Sequence, residues 1–239
     1  MDVEQRKTKG VIDLKFYPDG KVPEQPHLYF IYGAGGTGKT SLLKQFKGKK
    51  LLITFDNSYE VVRGREDIDV LSIEPKDFKT LKDNLSIEIM ERIKDGKYQV
   101  LCLDNATALQ NIALDNIFNQ YKDNRNNYQD LQIWFRRIGT YLRQCGLTVY
   151  VTAHQDKPNE LGEVMPQMNF ATFYAFTATF DFVGHIYKKD NEFWIDCDPE
   201  KKNHGKNRID NRTSMKAEDL LKKETEEKKE NEVKEHEHN

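Results

Sequence analysis

The sequence predicts an α/β fold: a mainly parallel sheet covered by helices on both faces, with extra antiparallel strands at the C-terminal edge. Three observations lead there. Apolar runs of strand length, such as "KKLLITFD" and "LTVYVTAH", are almost unbroken, as in strands buried on both faces. Amphipathic helical segments alternate with them, the order a parallel sheet requires. A glycine cluster, "GAGGTGKT", joins one apolar run to a helix-like run.

In chain order, "VIDLKFY" at 11–17 reads as a short strand, "PDGK" as a turn, and "HLYFIYG" as a buried strand leading into the glycines. "KTSLLKQF" then has leucines at helical spacing, and "KKLLITFD" and "DIDVLSI" are two further strands. "FKTLKDNLSIEIMERIKDGK" repeats apolar residues every three or four positions and stops at Gly96, a terminating glycine. "YQVLCLDN" is the next strand, "ATALQNIALDNIFNQY" and "LQIWFRRIGTYLRQCG" are helices, and "LTVYVTAH" is another buried strand. From residue 170, "FATFYAFTATFDFVGHIYKKDNEFWIDCD" is aromatic and β-branched, which predicts hairpin strands at one sheet edge and no helix. The expected organisation is one domain over 1–215 and a charged tail over 216–239, either a solvated helix or disordered, with disorder favoured past Glu224.

A net charge of −2 over 239 residues gives no global positive field, so any nucleic-acid site must be local. Cys102, Cys145 and Cys197 are odd in number, far apart and without a C-x-x-C pair, which argues against a disulfide framework or a zinc module. No charged-then-apolar leader opens the chain, and no apolar run approaches the roughly 18 residues a membrane helix needs. The expectation is a cytoplasmic protein with no membrane partner.

Gly33, Ala34, Gly35, Gly36, Thr37, Gly38, Lys39 and Thr40 satisfy G-x-x-x-x-G-K-[ST], the Walker A pattern, between a buried strand and a helix. Glycines let consecutive N–H groups turn inward around phosphate oxygens. Residues 33–41, through Ser41, are therefore the expected nucleotide cradle for ATP. Lys39 would reach the β- and γ-phosphates, and the Thr40 hydroxyl would ligate Mg²⁺.

Asp104, at the tip of "QVLCLD", stands where a second magnesium anchor belongs; it would also serve as a cap for "ATALQ", a job open equally to Asn105. Asp56, ending "LLITFD", and Glu60 behind it are the two candidates to orient an attacking water. His154 ends another apolar strand, and strand tips in open α/β sheets gather at one ligand-facing edge. Its candidate role is a γ-phosphate sensor.

With these residues assembled, residues 27–210 resemble the P-loop RecA-like ATPases, and more narrowly the small phage-encoded nucleotide-binding proteins related to recombinase cores and RadA, of single-strand annealing type. The resemblance rests on the order of the Walker A element, "ITFD", "LCLDN" and "VTAH". It also includes "GKNR", Gly205 to Arg208, similar to the lysine-asparagine-arginine motif of RadA, which implies that Lys206 and Arg208 act on the nucleotide of a neighbouring subunit. A homo-oligomeric ring or filament with ATP at the subunit interface, single-stranded DNA as partner, and a host-cell cytoplasm for a phage protein are what the resemblance implies. It departs from the family where the usual glutamate is Asp56, a shorter acid that implies slow hydrolysis.

Residues 121–137 mix cations with stacking rings, and Arg125 and Tyr128 are the candidates to hold a single strand. Trp134 and Phe135 sit at helical spacing with Leu131 and Ile138 and read as core. Lys157 is the single cation of the loop after His154, where resemblance expects a DNA loop but acids outnumber it. Three functions remain open: a DNA-dependent ATPase in recombination, annealing or replication, a nucleotide-gated scaffold with little turnover, and a P-loop small-molecule kinase.

Overall fold

Leu28–Gly33, the apolar run before the glycines, forms β1, and all six of its residues are buried. The run carries no polar interruption because it has a core on each side. Leu28, Phe30 and Tyr32 face one core, and Tyr29 and Ile31 the other. The computed structural model describes residues 15–118 and 124–222. Parallel to β1 run β2 (Lys50–Thr54), β3 (Ile68–Ser72), β4 (Val100–Asp104), β5 (Thr148–His154) and β6 (Phe182–Lys189). The antiparallel edge comprises β7 (Glu192–Asp196), β8 (Lys206–Asn207) and β9 (Ser214–Lys216). The order is β3-β2-β4-β5-β1-β6-β7-β9, with β8 paired to β6.

Helical segments cover both faces, but unequally. On one side lie α2 (Phe78–Ile93), α3 (Ala106–Ile117), α4 (Asn124–Gln144) and α5 (Phe170–Thr177). Their buried residues, including Leu85, Leu109, Phe135 and Phe176, form one core with the sheet. Phe135 and Phe176 meet edge to face at 5.1 Å between ring centres, and truncating either would cost about 3–5 kcal/mol. The other side is covered by the short α1 (Lys39–Leu42), the turn that continues it, and the chain's return over 214–222.

Three expectations need correction. Residues 15–17 form no strand, and Phe16 is 85% exposed; Pro18–Gly20 is a tight 3-10 turn, and residues 11–14 lie outside the described residues. The segment from 170 opens with a helix, α5. Asn169 caps it by accepting from the Thr172 N–H, and Thr172, Phe173, Phe176 and Thr177 all face inward at helical spacing, so burial overrides aromatic strand preference. The charged tail does not begin at 216. Lys216 ends β9, Ala217 and Leu220 are buried, and Arg212 donates to the Asp219 carbonyl at 2.9 Å. Residues 223–239, with the predicted disorder past Glu224, lie outside the described residues.

Candidate functional site

The strand order sets side by side residues that are far apart in sequence. Gly33 at the tip of β1 is in register with His154 at the tip of β5, and Thr54 of β2 with Asp104 of β4. The tips of β1, β5, β4 and β2 thus form one row at the carboxyl edge of the parallel sheet, where such sheets bind ligands. A cleft of about 530 Å³ opens there, lined by Gly36, Lys39, Thr40, Asp56, Asp104 and His154 among others.

The glycines of the loop are needed for separate reasons. Gly36 (φ 77°) and Gly38 (φ 80°) hold left-handed backbone, which side chains disfavour. Gly33 leaves no room for a side chain, since a Cβ would press on the Ile186 carbonyl oxygen and lie 2.6 Å from its Cγ2. Thr37 Oγ1 donates to the Ala34 carbonyl at 2.8 Å. Lys39 is 8% exposed, and its ammonium donates to the carbonyls of Gly33 (2.9 Å) and Ala34 (2.8 Å). Burial pulls its pKa down, against the opposing pull of the Asp104 and Asp56 carboxylates. The Tyr150 hydroxyl, from β5 beneath, donates to the Lys39 carbonyl at 2.6 Å and ties α1 to the sheet.

Thr40 Oγ1 donates to Asp104 Oδ2 at 2.7 Å, and Thr152 Oγ1 donates to Oδ1 of the same carboxylate. Asp104 is 3% exposed. Burial raises its pKa, while the two threonine hydrogen bonds and Lys39 hold it down. A hydroxyl and a carboxylate side by side fit magnesium, a hard cation that takes one or two protein oxygens plus phosphate and water. The residues present therefore suit the group that Thr40 and Asp104 are expected to share.

Beside them Asp56, Asn105 and His154 form a cluster. The Asn105 amide nitrogen donates to Asp56 Oδ2 and lies 3.3 Å from His154 Nε2. Asp56 Oδ1 accepts from the Ser58 N–H at 3.1 Å. Glu60 stands at the rim of the same cleft, its carboxylate paired with Arg63 at 2.8 Å. Of the two candidate acids, Asp56 is the one joined to the strand tips. Ser41 lines both this cleft and an adjoining hollow of about 440 Å³, walled by Leu42, Ile186 and Phe193.

Sequence reasoning does not single out Thr152 or Tyr150, because their roles depend on β5 lying between β1 and β4. Asn105 is legible as a cap, and it does accept from the Ala108 N–H at 2.8 Å; its link to Asp56 and His154 is not.

The other expected residues lie elsewhere. Lys206 pairs in register with Val183, near the opposite end of the sheet from Gly33, and its ammonium donates to the Thr177 carbonyl at 2.7 Å. The Arg208 N–H donates to the Asp181 carbonyl at 2.9 Å, and its side chain is exposed. Arg125 and Tyr128 stand exposed on the first turns of α4, and Lys157 is exposed in the segment after β5. Trp134 and Phe135 belong to the core. Among the described residues no helix is long and apolar enough to cross a membrane.

A family model described as an AAA domain matches residues 25–209. No curated protein matches the chain. Among solved structures it is similar to a KaiC-like protein from the hyperthermophilic archaeon Pyrococcus horikoshii, with 13% sequence identity, a TM-score of 0.45, and coverage of 72% of this chain and 78% of that one.

Proposed function

The chain belongs to the AAA domain family, and from that premise we propose that it binds and hydrolyses ATP with magnesium, as a homo-oligomer acting on single-stranded DNA in phage recombination, annealing or replication. The observation that carries the reading is the contact of Thr40 with Asp104, 2.7 Å, at the mouth of a glycine loop whose lysine is buried beside them. In AAA-type P-loop domains this constellation meets a nucleoside triphosphate and its metal. The adjoining hollow beside Leu42 and Phe193 has room for the nucleoside.

Each residue then has a task. Main-chain N–H groups of 34–40 hold phosphate oxygens. The Lys39 ammonium exchanges its carbonyl partners for β- and γ-phosphate oxygens. Thr40 and Asp104 hold magnesium, which when bound neutralises charge on the phosphates. Asp56 accepts a hydrogen bond from the attacking water and orients it, with Glu60 as the alternative acid. His154 reaches the γ-phosphate as a sensor. Lys206 and Arg208 neutralise charge on the nucleotide of the next subunit, in a ring or filament. Arg125, Tyr128 and Lys157 are the proposed contacts to DNA, and the cytoplasm, of the host for a phage protein, is the proposed compartment.

The test is ATP turnover with and without single-stranded DNA, beside Lys39→Ala. Stimulation by DNA, lost in the variant, is the expected result; equal rates with and without DNA would remove the DNA-dependent reading. A second reading, a nucleotide-gated scaffold with little turnover, is favoured by one observation: both oxygens of Asp56 already accept hydrogen bonds from the protein. Tight magnesium-dependent ATP binding without release of phosphate would select it.

A further inference from the structure

Asn105 is 2% exposed and stands immediately after the acid expected to hold magnesium. Its side chain can be oriented from its partners. The oxygen accepts from the Ala108 N–H and so caps α3, which turns the amide nitrogen and its two hydrogens toward the cleft. One hydrogen goes to Asp56 Oδ2. The other faces His154 Nε2 at 3.3 Å, which makes that nitrogen the acceptor and puts the hydrogen of the neutral ring on Nδ1.

Asp56 Oδ2 and His154 Nε2 are themselves only 3.9 Å apart. The amide stands between them, donating to both. Removing its hydrogens would leave a carboxylate and an imidazole free to pair directly, turning the acid from the water and the ring from the phosphate. The Ser58 N–H and the Thr54 hydroxyl both donate to the other oxygen of Asp56, Oδ1, and the Thr107 hydroxyl accepts from the His154 backbone N–H, so none of these fills that gap.

We propose that Asn105 is a positioning residue that keeps Asp56 and His154 apart and ties both to the first turn of α3. This rests on the hydrolytic reading above, with Asp56 and His154 as the groups that touch water and phosphate. The cap role alone would make any good capping residue acceptable at 105; the spacer role requires amide hydrogens.

Asn105→Ser separates the two, because serine caps a helix about as well as asparagine and has no amide. With the wild-type chain beside it, the ¹⁵N spectrum of the His154 imidazole at alkaline pH reads the ring directly, without nucleotide. The expected result is a ring protonated on Nδ1 in the wild type and a redistributed tautomer in Asn105→Ser. Magnesium-ATP affinity stays within about twofold while kcat falls about tenfold or more, the size of a misplaced acid–base group. An unchanged imidazole spectrum, or an Asn105→Ser enzyme with wild-type kcat, overturns the proposal. Should the serine chain fail to fold, Asn105→Asp keeps the cap and the shape but replaces the donor by an acceptor. The same spectrum and the same kcat are then measured on it, and an unchanged value of either again overturns the proposal. A wild type that binds ATP without turnover would end the hydrolytic reading, while the spectrum alone would still decide whether the amide separates the two groups.

Discussion

The two ends of the parallel sheet are built on opposite plans. At the carboxyl end, Lys39, Thr40, Asp104, Asp56 and His154 line one cleft, all supplied by this chain. Near the other end stand Arg143, Lys206 and Arg208, around a hollow of about 470 Å³ that Arg143 and Arg208 share with His27 and Asp181. The register measures their separation. Lys206 is opposite Val183 and Gly33 opposite Ile186, about 10 Å along the strand, and the Arg208 backbone is tied lower still, to Asp181. The Lys206 ammonium is moreover turned to the Thr177 carbonyl. Cations so placed do not serve the phosphate loop of their own chain. One end gathers its groups into a single cleft, whereas at the other Arg143 pairs with Asp181 at 2.7 Å and Lys206 with the Thr177 carbonyl, and the side chain of Arg208 is exposed. Under the proposed function that exposed charge meets the nucleotide of a neighbouring subunit.

The sharpest way to break this contrast is Lys39→Ala. The lysine is buried and supplies its ammonium to the cleft lining, so ATP affinity should fall about 100-fold or more by calorimetry, with the melting temperature in the absence of nucleotide hardly changed. Arg208→Ala should do the reverse: affinity retained, turnover reduced on the order of 1,000-fold or more, the low end of the range found for arginine fingers that stabilise a transferring γ-phosphoryl group. Mixing the two variants then sharpens the comparison. If the ends work on different molecules, a mixture regains turnover that neither variant has, because some interfaces join an intact loop to an intact Arg208. Failure of the mixture to recover any activity would place both defects in one chain.

What is legible in the sequence follows the same divide. The phosphate loop is a local pattern: glycines at positions needing left-handed backbone, a lysine and a threonine at fixed offsets, all within eight residues. Asp104, Asp56 and His154 are legible as acids and a histidine ending apolar runs, since strand tips share an edge whatever the strand order. Thr152, Tyr150 and the spacer role of Asn105 are not, because they follow from which strand is the neighbour of which. The helix α5 is hidden by composition, its aromatic residues favouring strands until Phe173 and Phe176 are buried against Phe30 and Phe135. Folding of 214–222 is hidden by charge, because the few apolar residues that fix it, Met215, Ala217 and Leu220, are spread among lysines and acids.

Lys206 offers a finer test through pH. Burial, reinforced by Arg208 and Arg143 and opposed by Asp181, brings its pKa down from 10.5 to about 8. The unfolded chain holds this proton more tightly than the folded one, so the group's contribution to stability rises as pH climbs from about 8 to about 10.5. Function should run the other way. If the ammonium neutralises phosphate charge, turnover should fall several-fold through pH 8 to 9, and Lys206→Arg, which stays charged, should flatten that limb. A limb unchanged by the arginine would assign the titration to another group.

The smallest effects belong to DNA, and they ask on which side of the divide a strand would run. Tyr128 is 45% exposed on α4, and one stacked base is worth about 1–3 kcal/mol, so Tyr128→Ala should weaken single-strand affinity about fivefold or more by anisotropy in the presence of ATP. Arg125→Ala should weaken it less, and more weakly still at high salt, as a phosphate contact does. Lys157 shares its segment with Asp156, Glu160 and Glu163, whose repulsion of phosphate offsets its single charge, so Lys157→Ala should change affinity less than about twofold. The reverse ranking, with Lys157 dominant, would bring the strand onto the segment that leaves the tip of β5, next to His154, and would couple DNA directly to the nucleotide cleft instead of through the helices behind it.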